Sequence, residues 1–365
     1  MYNKSKEPGN VEEHFRIMLM SSNSNPKLSV IIPCYNKVSY LIDMISCIIN
    51  QTFQNWELIL VDDGSKKDCF QEVHDFVSKD SRILHIRRDR EPKNGDTCRN
   101  IGMDLAKGKY IIIFDADDLI SETCFEERIK FMDDHPDCDY ATFPFASFEE
   151  GAAVPSKKTK DRMGNNNKTI LQELLTSNYP FTVWANIYRA DSLSNLRWDE
   201  RIFVYQDFDF MVQCELAGLK HLYSTAPYSD YFYRHFVSGN SVCNNFSQEK
   251  IDSTNLLFKK ILHLIEKRED KQVLLNNFKF FILKHFERLL SINNEQYLDE
   301  YVVFVKEYYP AEAASFNKIR NKVNGRVEGH FNQARINFLL FCSFGQKINW
   351  LFFTHEFAKW LLRLN

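Results

Sequence analysis

Two short acidic runs carry the chemistry this sequence can offer: Asp62-Asp63-Gly64-Ser65 and Asp115-Ala116-Asp117-Asp118. Each closes an apolar, β-branched run, WELILVDD (56–63) and KYIIIFD (109–115), that reads as a buried strand. A third run of this kind, LSVIIP (28–33), leads into Pro33-Cys34-Tyr35-Asn36. Ligands of an open α/β sheet bind outside the carboxyl ends of its strands, so polar residues placed there share one crevice. Carboxylates crowded together raise one another's pKa unless a cation or hydrogen-bond donors compensate them. Hard oxygen ligands suit Mg2+ or Mn2+, and magnesium commonly takes one or two carboxylates together with substrate phosphates. The pattern therefore points to a divalent cation and a phosphorylated substrate. Asp at strand-to-helix junctions also serves as turn residue and helix N-cap, and for either run alone that reading weighs as much. Two such runs at one sheet edge, with neither a Gly-x-Gly-x-x-Gly nor a Walker-type loop near them, favour metal and nucleotide over hydride transfer.

The elements that must position these residues alternate in type. Strands are expected at 28–33, 56–63, 82–88 (RILHIRR), 109–115 and 139–146, with helices through YLIDMISCIINQT, FQEVHDFVSK, NGDTCRNIGMDLAKG and 121–135 between them. This alternation predicts an α/β fold with a mostly parallel central sheet flanked by helices, the apolar 109–115 run lying in its middle. Residues 151–168 read as a loop, Asp207 to Leu219 as a helix, and LKHLYS and DYFYR as short strands. From about Gln248 only helical periodicity remains, which predicts a C-terminal all-helical subdomain. The expected division is a lead-in over 1–27, an α/β domain over 28–245 and a helical region over 246–365.

The chain has 365 residues, with 46 Lys+Arg against 49 Asp+Glu, so no global field recruits nucleic acid. The balance is uneven: residues 245–365 hold 18 basic and 13 acidic residues, the preceding part 28 and 36. That basic segment also holds 15 of the 31 Phe. FKFFILKHFERLL and INWLFFTHEFAKWLLRL place apolar residues at helical spacing, either to bury them in a helical subdomain or, over 330–365, to lie on an anionic membrane surface. Nine cysteines are scattered singly, without zinc-type spacing, and read as buried thiols of a reducing compartment. The first twenty residues lack the apolar run of a secretory signal, so a cytoplasmic protein is expected.

Taken in order, LSVIIPCYNK, QTFQNWELILVDDGS, RNIGMDLAKGKYIIIFDADD and YQDFDF resemble the family 2 glycosyltransferases, inverting enzymes with the GT-A nucleotide-diphospho-sugar fold. The resemblance spans about residues 28–241. It implies that Pro33, Tyr35, Asn36, Asp62 and Asp63 hold the nucleobase and ribose, and that Arg99 and Asn100 lie near the diphosphate and sugar. It makes Asp115-Ala116-Asp117 similar to the DXD motif, with Asp115 toward the ribose and Asp117 on the metal. It makes Asp207 the base that takes the acceptor hydroxyl's proton, held ionised by a helix N-terminus, with Asp209 as its competitor. Gln206 departs from the family's usual acidic residue, and Cys98 from a small one. In the stretched YRHFVSGNSV segment, His235 is either a metal ligand or a packed imidazole. Trp184 and Asn186, in FTVWANIYR, stand either on the acceptor side or in the core.

The resemblance implies a metal-assisted hexosyl transfer, with inversion, from a nucleotide-sugar donor to a hydroxyl of a glycan or lipid-linked oligosaccharide. UDP is the expected nucleotide. The setting it implies is polysaccharide or cell-surface glycan synthesis at the inner face of the membrane. A nucleotidyltransferase on a related sheet and a non-catalytic nucleotide-sugar-binding scaffold are the alternatives.

Overall fold

The computed structural model describes residues 25–153, 169–176, 182–236, 247–292, 295–310 and 313. Most of the expected lead-in over 1–27, most of the loop over 151–168 and the whole of 330–365, where membrane contact is expected, lie outside the described residues. The chain divides into two compact units, Met1–Leu174 with Tyr179–Thr254 and Leu175–Asn178 with Asn255–Asn365.

The larger unit is built on a seven-stranded sheet in the order β3-β2-β1-β4-β8-β6-β9. Its strands are β1 (Leu28–Cys34), β2 (Trp56–Asp62), β3 (Ile83–Arg87), β4 (Tyr110–Ile113), β6 (Tyr140–Thr142), β8 (Asn186–Arg189) and β9 (His221–Tyr223). The first four pair in parallel, and β8 runs antiparallel to both β4 and β6. β1 and β4 are buried on both faces, which is why their sequences are apolar without alternation. Helices α1 (Val38–Ile49), α2 (Lys67–Val77), α3 (Gly95–Leu105), α4 (Cys124–Asp134) and α6 (Gln206–Leu216) flank this sheet, and a short α5 spans Ile170–Leu175.

Two local devices set α3 on β1. The Asn94 side chain caps the helix by accepting from the Thr97 N–H at 2.8 Å. Gly102 lets the helix approach closely, since a Cβ there would stand 2.3 Å from Ile31 Cγ2.

The expected strand over 139–146 is in fact two. It breaks at Phe143-Pro144, because proline has no N–H to continue the ladder. Before the break β6 joins the main sheet. After it β7 (Phe145–Glu149) pairs in parallel with β10 (Tyr231–His235), and β10 pairs antiparallel with the two-residue β5 (Leu119–Ile120). This three-stranded sheet is absent from the reading of the sequence, and it carries part of the site.

The small sheet is fixed by a fully buried ion pair. Arg128 Nε and Nη2 donate to the two carboxylate oxygens of Asp230 at 2.7 and 2.8 Å, and Nη1 donates to the carbonyls of Trp184 and Asn186. Asp230 immediately precedes β10, so the pair sets where that strand begins.

In the smaller unit, α7 (Gln248–Glu266, of which the residues from Asn255 onward belong to this unit), α8 (Lys271–Ile292) and α9 (Glu295–Tyr308) supply an aromatic core. Phe258 meets Phe278, Phe281, His285 and Tyr301 edge to face. The apolar residues of FKFFILKHFERLL that are described, Phe278, Phe281, Ile282 and Leu289, are therefore buried in protein and not offered to a membrane. Among the described residues no helix is long and apolar enough to cross a bilayer.

Arg128→Met leaves Asp230 buried without its counter-charge and is expected to cost about 3–5 kcal/mol of unfolding free energy by urea denaturation. Adding Asp230→Asn should recover part of that loss; a cost below about 1 kcal/mol for the single variant would contradict this role of the pair.

Candidate active site

The chain leaves β1 toward β2 and β3 on one side and returns to β4 on the other, so β1 and β4 flank the switch point of the sheet. This is where a crevice opens at the strand ends. The exit from β1 is a strained turn: Asn36 and Lys37 take φ of 53° and 36°, in the left-handed region that residues with a Cβ avoid. Two bonds hold it, Asn36 N–H to Ser65 Oγ at 2.7 Å and Lys66 N–H to Asn36 Oδ1 at 3.1 Å. Asp62 organises the same loop by accepting from the N–H groups of Gly64 and Ser65 at 3.1 and 2.9 Å. Asp63 pairs with Arg88 at 2.7 Å, and burial raises its pKa against that pull. Tyr35 lies exposed at the mouth with Lys93 Nζ 3.9 Å from its ring centre.

Arg99, on the second turn of α3, is the electrostatic centre. Its Nη1 lies 2.9 Å from Asp96 Oδ1 and its Nη2 3.2 Å from Asp115 Oδ1, while its plane covers the Trp198 ring at 4.6 Å. Only 7% of Arg99 is exposed. Burial works against its charge, but Asp96, Asp115 and Asp207 together outweigh that and keep it ionised. Gly95 leaves room for the guanidinium, since a Cβ there would stand 3.1 Å from Nη1.

Asp207, the second residue of α6, follows Tyr205, a bulky residue held at φ 63°. Burial pushes the Asp207 carboxyl up to about 6, with Arg99 pulling it down and Asp115 pushing it up. The helix N-terminus therefore does not by itself hold Asp207 in the ordinary carboxylate range, as expected from sequence; desolvation wins. Asp209 is buried and accepts from Gln213 Nε2 at 2.9 Å within the helix.

The Asp115–Asp118 loop is tied down from the small sheet. Asp118 accepts from Tyr231 Oη at 2.6 Å and from the Arg234 N–H at 2.7 Å, and Arg234 Nε donates to the Asp117 carbonyl at 2.8 Å. The Asp117 carboxylate itself turns to Lys37 Nζ, 2.5 Å away. The structure thus gathers Asn36, Asp115, Asp117, Arg99 and Asp207 toward one end of β1 and β4, with Asp62 ending β2, Asp63 on the loop after it and Pro33 next to last in β1.

The structure revises the expectation for Asn100 and bears on the open readings of Trp184, Asn186 and His235. Asn100 does not face a donor: its amide donates to the Trp198 carbonyl and Glu200 and accepts from the Trp198 N–H. Trp184 is buried, stacked on Tyr231 at 4.4 Å and on Tyr233 at 5.6 Å. Asn186 is buried too, bonded to Thr142 and Tyr188, so neither residue presents an open acceptor face. His235 is exposed and packs edge-on to Tyr233. Sequence reasoning missed Asp96, Arg234, Tyr231 and Lys37, although the quoted YRHFVSGNSV and LSVIIPCYNK segments contain two of them.

Two groups of side chains bear on metal binding. Asp115 and Asp117 are hard oxygen donors, and burial with the nearby Asp117 charge raises Asp115 against Arg99, a tension that a divalent cation relieves. Cys34, Asp62 and His85 also bring one ligand atom each within 4.8 Å of one another. There burial holds the thiol well above its ordinary pKa, and Asp62 is already committed to two backbone N–H groups. The first pair fits a hard cation and the second group does not.

Comparison with known proteins bears on this arrangement. The family model described as Glycosyl transferase family 2 matches residues 29–197. An uncharacterized glycosyltransferase of Methanocaldococcus jannaschii is 30% identical over 201 residues, covering 54% of this chain and 67% of that protein. The minor teichoic acid biosynthesis protein GgaB of Bacillus subtilis is 28% identical over 289 residues, which is 76% of this chain but 31% of its own length. The chain thus spans about a third of that larger relative. Among solved structures, S. aureus TarS 1-349 in complex with UDP-GlcNAc superposes with a TM-score of 0.61 at 17% identity, over 82% of this chain and 87% of that one. The likeness is one of fold.

A carboxyl raised on folding stabilises the protein only while protonated, so stability falls as pH rises from the unfolded value of 3.8 through about 6. Asp207→Asn should therefore raise the unfolding free energy near neutral pH by about 1–2 kcal/mol after allowing for solvent screening. The gain should fade toward pH ~4 in denaturation curves; a gain independent of pH would contradict the assigned cause.

Proposed function

The chain belongs to glycosyl transferase family 2 and is a glycosyltransferase, and on that premise we propose that it moves a sugar from a UDP-sugar to a glycan hydroxyl with inversion. The observation that carries this reading is the shared guanidinium: Arg99 touches Asp115 of the DXD-like run and is coupled to Asp207, an acid of a distant helix. One crevice then holds both a site for the leaving diphosphate and a base.

Asp207 accepts the proton of the acceptor hydroxyl as its oxygen attacks the anomeric carbon, and the nucleoside diphosphate leaves from the opposite face. A carboxylate with pKa about 6 is largely ionised at neutral pH yet more basic than an ordinary Asp, which suits a general base. Arg99 keeps Asp207 from taking up a proton prematurely and holds Asp115 at the end of β4. Tyr35, Asn36, Asp62 and Asp63 form the wall against which the nucleoside rests. A divalent cation, Mn2+ or Mg2+, would be held by Asp117 with Asp115 beside it. When bound it neutralises charge on the departing diphosphate.

UDP is favoured because the TarS structure of the same fold was solved with UDP-GlcNAc. The teichoic acid role in GgaB's name favours a cell-surface polymer or its lipid-linked precursor as acceptor, met at the cytoplasmic face of the membrane.

With UDP-sugars, Mn2+ and a polyol-phosphate or glycan acceptor, the full chain should release UDP and not pyrophosphate. Asp207→Asn should lower kcat by about 10²–10⁴. In the wild type, kcat/KM should fall below a pH of about 6 as Asp207 becomes protonated. Pyrophosphate release, or an Asp207→Asn variant within tenfold of wild type, would overturn the proposal.

A further inference from the structure

We propose that Lys37 is a tethered cation that occupies Asp117 and competes with the divalent ion for it, thereby setting the affinity of the site for that ion. This rests on the metal reading given for Asp117 above.

Geometry carries the inference. Lys37 Nζ stands 2.5 Å from Asp117 Oδ2, across 80 residues of chain and between the ends of β1 and β4. Its place depends on two consecutive residues, Asn36 and Lys37, in the left-handed region, which is unfavourable when a Cβ is present. The bonds from Asn36 to Ser65 and Lys66 keep that turn in place. The ammonium also lies 4.5 Å from the centre of the Phe236 ring, a second resting place that does not depend on Asp117.

Charge explains why Asp117 needs such a partner. The Arg99 guanidinium is divided among Asp96, Asp115 and Asp207. Arg234 reaches Asp117 through its carbonyl and not its carboxylate. Lys37 supplies the missing positive charge.

The two cations that meet carboxylates of Asp115 and Asp117 differ in how readily they yield. Arg99 is 7% exposed and held by three carboxylates and a ring, whereas the Lys37 side chain is 51% exposed. A lysine ammonium on a flexible four-carbon stem can leave one oxygen without disturbing the core. A divalent ion and an ammonium cannot share the same carboxylate oxygen without strong repulsion. The apparent affinity for the ion is therefore its intrinsic affinity reduced by the fraction of molecules in which Lys37 holds Asp117.

The test is direct binding of Mn2+ to the full chain without nucleotide, read from the signal of free Mn2+ in electron paramagnetic resonance. Lys37→Gln, which keeps the length and removes the charge, should bind Mn2+ roughly tenfold more tightly than wild type. Lys37→Arg, which keeps the charge, should stay within about threefold of wild type. Asp117→Asn should abolish this binding in either background. Binding by Lys37→Gln that equals or falls below wild type, while Asp117→Asn still abolishes it, would overturn the competition and leave the metal reading standing. Mn2+ binding indifferent to Asp117→Asn would overturn both. Thermal melts of the Lys37 variants should match wild type, which separates the effect from misfolding.

Discussion

The site depends on one positive charge divided among three negative ones. Arg99 lies buried with Asp96 and Asp115 in contact and Asp207 within electrostatic reach. Such a group is costly to take out of water and persists only where the surrounding structure fixes every member. The fold does this with small means. Gly95 clears the space that the guanidinium occupies, Trp198 lies beneath it, and Asn100 staples α3 to the Trp198–Glu200 segment. These residues touch no substrate in this account, yet they decide where Asp115 and Asp207 stand.

A second set of constraints acts from the small sheet. The buried Arg128–Asp230 pair fixes the start of β10. Tyr231 and Arg234 of that strand then bind Asp118 and the Asp117 carbonyl. The DXD-like run is thus held at one end by its own strand and at the other by a separate sheet. Rigid support on both sides fits a loop whose carboxylates must keep their spacing while charge enters and leaves the crevice.

Much of the main sheet was legible in the sequence because its strands are apolar on both faces and their ends are acidic. The run WELILVDD announces both a buried strand and the polar edge after it. The small sheet was not legible, since only Pro144 marks the break between β6 and β7, and a single proline inside an apolar run does not say which sheet each half joins. The contacts of Tyr231 and Arg234 with the Asp117-Asp118 segment were hidden for the same reason, since they depend on how β10 pairs with strands far off in sequence. Asn100 was misjudged, and Trp184 left open, because residue type does not reveal whether an amide or a ring meets ligand or protein. The raised pKa of Asp207 needed three dimensions too, since helix position argues for ionisation while burial argues against it.

Asp115 and Asp207 belong to one electrostatic group around Arg99. The most direct measurement is the titration of the Asp207 carboxyl, followed by 13C NMR of Asp-labelled protein in the wild type and in Asp115→Asn. Removing the Asp115 charge takes away a repulsion and frees Arg99 for Asp207, so the Asp207 pKa should fall from about 6 toward the ordinary value of 3.8. An Asp207 titration unchanged by Asp115→Asn would place the two carboxylates in separate surroundings and contradict the claim.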